Sequence, residues 1–206
     1  AALAAYSGAR AVMREERCVV SAPAWALDRA RDALAGRAAA DVFDAGAIAA
    51  PFGDAVERVV GPAWIGYADA VDVRPADARE TRLLTPDDDA ALRVLAAAAG
   101  ETAWQHSGID FDRAPIAGLF VNEVLAAASS YERRGEHVLH VGVVTHPGHR
   151  GRGYGRAVAS AATAHGLVTG GIMQWQTLVA NAPSLAVGRS LGYLEYCRTL
   201  AVRLRK

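Results

Sequence analysis

The sequence predicts an α/β (α+β) fold: a mostly antiparallel sheet flanked by helices, preceded by a smaller α/β extension. Three observations carry that expectation. Strand-like and helix-like stretches alternate from Thr81 onward. Three strand-like runs, at 116–121, 124–131 and 137–145, are separated only by Asn122-Glu123 and by Arg134-Gly135-Glu136, which is the grammar of an antiparallel meander. The third run then leads through a glycine-rich turn into a helical pattern that continues to His165-Gly166.

Taken in order, residues 17–22 form a short β-like run stopped by Pro23. Trp25, Leu27, Ala30, Ala33 and Leu34 follow at helical spacing, with Gly36 at the end. Residues 41–52 read as irregular or short helical structure, and 63–67 as a strand after Gly61-Pro62. The stretch 69–80 is rich in Asp, Ala and Arg and holds Pro75. It reads as a linker, which divides the chain into an extension at 1–80 and a domain at 81–206. In that domain Arg82-Leu83-Leu84 is strand-like, and Thr85-Pro86-Asp87-Asp88 starts a helix with Thr85 as N-cap, Pro86 at the first helical position and acids in the first turn. Leu92, Leu95 and Ala96 give that helix an apolar stripe, which Gly100 and residues 104–108 interrupt.

Composition narrows the function. The chain has 206 residues, 52% of them apolar, enough for a real core. Its 22 basic and 22 acidic residues balance, so no global field draws it to nucleic acid or an anionic membrane. Polar or glycine residues interrupt every alanine-rich stretch before it reaches membrane-spanning length. The first fifteen residues do not read as a leader, and the expectation is a soluble, cytoplasmic protein. Cys18 and Cys197 are too few for a disulfide framework or a zinc site, so no metal is expected.

Chemistry concentrates where Val141-Gly142-Val143-Val144-Thr145 meets His146-Pro147-Gly148-His149-Arg150-Gly151-Arg152-Gly153-Tyr154-Gly155-Arg156. Glycines let backbone N–H groups converge, and the unpaired amides of a helix's first turn attract an anion. Arg150, Arg152 and Arg156 add positive charge suited to phosphate. Two phosphate ligands are disfavoured by spacing. The P-loop of nucleoside triphosphatases needs a Gly-Lys-Ser/Thr run, and Lys206 is the only lysine; the dinucleotide pattern needs Gly or Ala where Arg156 or Val158 stands.

The run Arg150-Gly151-Arg152-Gly153-Tyr154-Gly155 resembles the Q/R-x-x-G-x-G/A signature of the GNAT (GCN5-related N-acetyltransferase) family. The later order agrees: a strand-like run at 172–179, Asn181-Ala182-Pro183-Ser184, then Leu191-Gly192-Tyr193 before a last strand. The resemblance covers roughly residues 82–205. It implies a GNAT fold with a mixed, mostly antiparallel sheet, and acetyl-CoA (coenzyme A) as acyl donor. It implies transfer of the acetyl group to a primary amine in a ternary complex. It also places cofactor contacts on Val143, Val144 and Thr145 for the pantetheine arm, on Arg150, Gly151, Arg152, Gly153, Tyr154, Gly155 and Arg156 for the diphosphate, and on Asn181 and Ser184. A helix cap is the plainer role for Ser184.

One departure stands out. Many members of the family carry a tyrosine seven residues after the asparagine as general acid; here that position is Gly188. Tyr193, Tyr196 or water are the substitutes, although both tyrosines also fit core or strand roles. For the base, His140 lies on the strand entering the loop and has a suitable ordinary pKa, with Leu139 competing for the same register. Glu123 is a second candidate, against the plainer reading of a solvated turn acid. Trp104 and His106 lie where the family walls its acceptor site, and they equally fit a helix and its core. The partner expected is a small-molecule or peptide amine. Neither nucleic acid nor membrane is expected, and a homodimer is left open. A degenerate domain that senses acyl-CoA without transfer is the alternative.

Overall fold

The computed structural model describes residues 8–76, 80–110 and 115–205. Residues 1–7, part of the stretch read for a leader, and 77–79, part of the expected linker, lie outside these. The strands are β1 (Gly8–Arg14), β2 (Arg17–Ser21), β3 (Val56–Ala68), β4 (Arg82–Leu83), β5 (Ala117–Val121), β6 (Val124–Arg134), β7 (Val138–Thr145), β8 (Ile172–Leu178) and β9 (Leu194–Leu204). The helices are α1 (Leu27–Leu34), α2 (Ala39–Val42), α3 (Ala45–Ala49), α4 (Asp89–Ala99), α5 (Glu101–Ser107), α6 (Tyr154–Val168) and α7 (Ala182–Ser190). The α+β class is as expected. The chain forms two compact units, one of residues 1–65, 177–185 and 195–206, the other of 66–176 and 186–194.

In the first unit the strand order is β2-β1-β9-β3. β1 and β2 form an antiparallel hairpin with Arg14 opposite Arg17, and β1 also pairs antiparallel with β9, Gly8 opposite Arg203. Its core joins Ala9, Ala11, Ala30, Ile48, Phe52 and Leu200. Asp44 caps α3 by accepting from the Ala47 N–H at 2.9 Å, a short polar side chain satisfying a helix-end donor. β1 was not expected, because Gly-Ala-Arg-Ala carries little β-branched signal. β3 is also longer than the 63–67 anticipated; Gly61 and Pro62 lie inside it.

In the second unit the order is β8-β7-β6-β5-β4, antiparallel from β4 through β7 and parallel between β7 and β8. The turn expected at Asn122-Glu123 is present, both residues at positive φ, as a type I′ hairpin turn requires. The β6–β7 turn falls at 135–137, one residue later than expected. Helix α6 covers one face, where Ala157 and Val158 meet Leu119 and Ala127. On the other face, Leu92 and Leu95 of α4 meet Leu125, Ala128 and Val144.

The expected start of α4 is present as a capping box between Thr85 and Asp88. Arg82 donates both Nη groups to Asp88 at 2.6 Å, which with the Thr85 N–H holds that carboxyl well below the usual range. Residues 104–108 belong to a helix, α5, where an interruption was anticipated. Gly100, at φ +84°, still separates it from α4. α5 ends hard against β7, since a β-carbon on Gly142 would collide with the Ser107 carbonyl.

Candidate active site

The anion-binding turn has the geometry its glycines call for. After β7, His146 Nδ1 accepts from the Gly148 N–H at 3.1 Å and steadies a 3₁₀ turn over Pro147–His149. Gly151 (φ +75°) and Gly153 (φ +79°) then take left-handed conformations that suit glycine, and Gly153 caps α6. The first helical bond runs from the Ala157 N–H to the Gly153 carbonyl at 3.1 Å. Among the described residues, the amides of Gly151, Arg152, Gly153, Gly155 and Arg156 have no acceptor. A fifteen-residue helix places its positive end behind them.

Arg150 and Arg152 are exposed beside this nest. Arg156 is half-buried, and its Nε has no hydrogen-bond partner. A β-carbon on Gly155 would lie 2.8 Å from Thr145 Oγ1, so the first turn of α6 rests directly on the end of β7. Tyr154 packs its ring near His149, with centroids 6.1 Å apart.

From the nest a backbone edge leads into the sheet. β7 pairs with β8 over only three residues, Val138, Leu139 and His140 opposite Ile172, Met173 and Gln174; it then continues five residues to Thr145. The Ile172 N–H donates to the His137 carbonyl at 2.7 Å, whereas the Gly142 carbonyl accepts from Ser129 Oγ on the β6 side. By strand alternation, Val141, Val143 and Thr145 therefore turn their backbone groups toward β8. Past His140 and Gln174 the two strands part, leaving an edge about 15 Å long at roughly 3.3 Å per residue. Of the three strand residues predicted as cofactor contacts, Val143 and Thr145 present their backbone to this opening. Val144 turns its backbone to β6 and packs its side chain under α4.

At the point of parting, Glu132, His140 and Gln174 lie in one row across β6, β7 and β8. His140 Nδ1 is buried without a partner. Burial, and next the nearby Arg134 charge, lower the His140 pKa from 6.5 to about 4, against the opposing effect of a hydrogen bond with the Gln174 backbone. The imidazole is thus neutral at pH 7. Arg134 reaches across β7, donating from Nη1 to Gln174 Oε1 (3.3 Å) and Gln176 Oε1 (3.0 Å). Gln174 Nε2 donates in turn to the Tyr67 hydroxyl at 2.7 Å.

The structure does not bring all the predicted catalytic residues together. Glu123 sits in the β5–β6 turn, nine residues along the sheet from the Glu132–His140 row. That is close to 30 Å at about 3.3 Å per residue, so it shares no reacting centre with His140. Tyr193 is buried at 2% exposure, its hydroxyl 2.7 Å from Thr163 Oγ1 and its ring edge-on to Trp175. Burial raises its pKa far above the usual phenol value. These are the surroundings of a packing residue.

The empty tyrosine position has a packing cause. A β-carbon on Gly188 would already stand 3.0 Å from two ring carbons of the buried Trp175. Asn181 Oδ1 accepts from the Ser184 N–H at 3.3 Å, and its carbonyl accepts from Leu185, so both predicted residues form the start of α7. Trp104 joins the α4 side of the core, while His106 is exposed on α5. Sequence reasoning passed over Arg134, Gln174 and Tyr67. The available signal was a pair of glutamines, Gln174 and Gln176, at alternate positions of β8 and therefore on one face of it.

Among the described residues no group of His, Cys, Asp and Glu is arranged to hold a metal. No described helix is long and apolar enough to cross a membrane.

Residues 116–199 match the family model of the GNAT acetyltransferases. No curated protein sequence matches the chain. Among solved structures, a GNAT-family protein from Novosphingobium aromaticivorans aligns with a TM-score of 0.56 and 23% identity over 73% of this chain and 67% of its own. A GNAT-family acetyltransferase from Colwellia psychrerythraea aligns at 0.58 and 16%, over 77% of this chain and 61% of its own. A GCN5-related N-acetyltransferase from Kribbella flavida aligns at 0.58 and 17%, over 77% and 64%. These likenesses establish the fold, and the chain spans 61 to 67% of the three proteins' lengths.

Proposed function

We propose that this chain, whose residues 116–199 match the GNAT acetyltransferase family model, moves an acetyl group from acetyl-CoA to a primary amine by direct transfer in a ternary complex. The observation that carries this reading is the continuous path from the acceptor-free amides of Gly151, Arg152, Gly153, Gly155 and Arg156, along the open edge of β7, to the point where β7 and β8 part beside His140. The residues fit the donor. A diphosphate suits five acceptor-free amides at a helix start, flanked by Arg150 and Arg152. The backbone of Val143 and the N–H of Thr145 suit the amide groups of a pantetheine arm, while the Thr145 carbonyl accepts from Arg150 Nε at 3.4 Å. When bound, the donor supplies a thioester whose carbonyl carbon is open to attack by an amine.

The chain's own part is to hold two reactants in line and to manage protons. Fixing the amine beside the carbonyl contributes several kcal/mol, on the order of the entropy of bringing two solutes together. Backbone N–H groups on the β7 edge, Val141 and Val143, are aimed toward the opening and suit the developing oxyanion. We assign His140 as the base that takes a proton from the incoming ammonium, since it lies where β7 and β8 part and its imidazole is neutral at pH 7; burial, by lowering its pKa to about 4, makes it a weaker proton acceptor than the ordinary imidazole the sequence suggested. Two protons leave nitrogen in all: one ends on the released sulfur and the other in solvent. We assign no acid role to Tyr193 or Gly188, so the sulfur takes its proton from water or from a neighbouring group.

The test is thiol release from acetyl-CoA with a panel of amines, alongside calorimetric titration with CoA. Amine-dependent thiol release with intersecting double-reciprocal plots is expected. CoA binding without turnover on any amine would favour an acyl-CoA sensor, and absence of CoA binding would overturn the reading altogether.

A further inference from the structure

We infer that the amine acceptor also carries a carboxylate, which Arg134 takes on the sheet face at the parting of β7 and β8; this rests on the acyltransferase reading above. The inference starts from how Arg134 is held. Its side chain, 42% exposed, is stretched across β7 by two glutamine carbonyls, Gln174 and Gln176, both bound through Nη1. Its Nε meets one oxygen of Glu132 at 3.4 Å, a long contact of single-oxygen geometry. Nη2 has no partner among the described residues. Bonded in this way, the guanidinium offers Nη2 to a carboxylate at once, and offers the two parallel donors of its Nε/Nη2 edge when the carboxylate takes the place of the long Glu132 contact.

The surroundings give that edge a direction. Glu132 shares a row with His140 and is half exposed, so an anion, a neutral imidazole and a cation stand side by side on one face. That order complements a zwitterion, with the ammonium toward Glu132 and His140 and the carboxylate toward Arg134. Gln174 is buried, holds Arg134 and is itself engaged by Tyr67, which fixes the cation against swinging into solvent. A guanidinium held only as a structural strap gains nothing from a loosely joined anion and an unused Nη2; a recognition group does. The acceptor class indicated is amino-acid-like: a primary amine and a carboxylate separated by a few atoms.

The experiment compares free amino acids with their carboxamides as acceptors, for example glycine with glycinamide and L-alanine with L-alaninamide, in the thiol-release assay. The free acids are expected to exceed the amides at least 10-fold in kcat/KM, chiefly through KM. Arg134→Gln is expected to bring that ratio close to one, and Arg134→Lys, which keeps a point charge, to restore part of it. Thermal unfolding of each variant separates misfolding from lost recognition. Equal use of acids and amides by the unaltered protein overturns the inference, and so does a preference that survives Arg134→Gln. CoA binding with no acetylation of either class also overturns it, whereas failure to bind CoA strikes the acyltransferase reading itself.

Discussion

Gly188 stands where the resemblance to the GNAT family implies a tyrosine, and replacing it with alanine sets two effects of known size against each other. Helix propensity alone makes Gly→Ala inside α7 stabilising by about 1 kcal/mol. Packing opposes this. The new methyl carbon would stand 3.0 Å from two Trp175 ring carbons and 3.2 Å from a third, where carbon atoms ordinarily meet at about 3.5–4.0 Å. Trp175 is 2% exposed and packed edge-on against Tyr193, so the ring has nowhere to retreat. Overpacking of this kind costs about 1–3 kcal/mol.

Gly188→Ala should therefore be neutral to destabilising by about 2 kcal/mol in the unaltered protein. In a Trp175→Leu background, where the ring is gone, it should stabilise by about 1 kcal/mol. Urea unfolding of the four proteins in this cycle measures the coupling, expected at about 1–3 kcal/mol. If alanine stabilises equally in both backgrounds, Trp175 is not what excludes a side chain, and the packing account of the missing tyrosine is wrong.

Other outcomes follow from the same geometry. Arg152→Glu puts an anion where an exposed cation now stands beside the proposed diphosphate site; calorimetry should show CoA affinity falling by about 10- to 100-fold, the equivalent of about 1.5–3 kcal/mol. His140 is protonated near pH 6.5 when unfolded and only near 4 when folded, so stability holds above pH 6.5 and declines as pH falls from there toward 4. Unfolding across this range should show a decline to which His140 contributes at most about 3 kcal/mol, and His140→Gln should remove that contribution. In turnover, His140→Ala should lower kcat while leaving CoA affinity within about twofold, a difference under 0.5 kcal/mol. Gly142→Ala would drive a methyl into the Ser107 carbonyl; a loss of more than about 3 kcal/mol, or failure to fold, is expected on thermal unfolding.

What the sequence made legible was local. Gly151 and Gly153, with arginines at fixed offsets and a helical pattern behind them, specify an amide nest within a dozen residues, and no distant partner is needed to form it. The meander was legible for the same reason, since turn residues and alternation lie side by side in the chain. Arg134 and Gln174 become neighbours only through the parallel register of β7 with β8, forty residues apart. Nothing in either segment announces the other. Trp175 against Gly188 is of that kind too: a glycine in a helix reads as a weak helix former until the opposing ring is seen. β1 escaped notice because its alanines are good strand residues only once both its edges are paired, by β2 and β9.

The claim beneath all of this is that the turn after β7 holds a coenzyme A diphosphate on its amides. Titrating glycine-selectively ¹⁵N-labelled protein with CoA tests it most directly by amide NMR. The signals of Gly151, Gly153 and Gly155 should move together and saturate, more than those of Gly36 or Gly108. CoA binding that leaves these three signals in place would contradict the account.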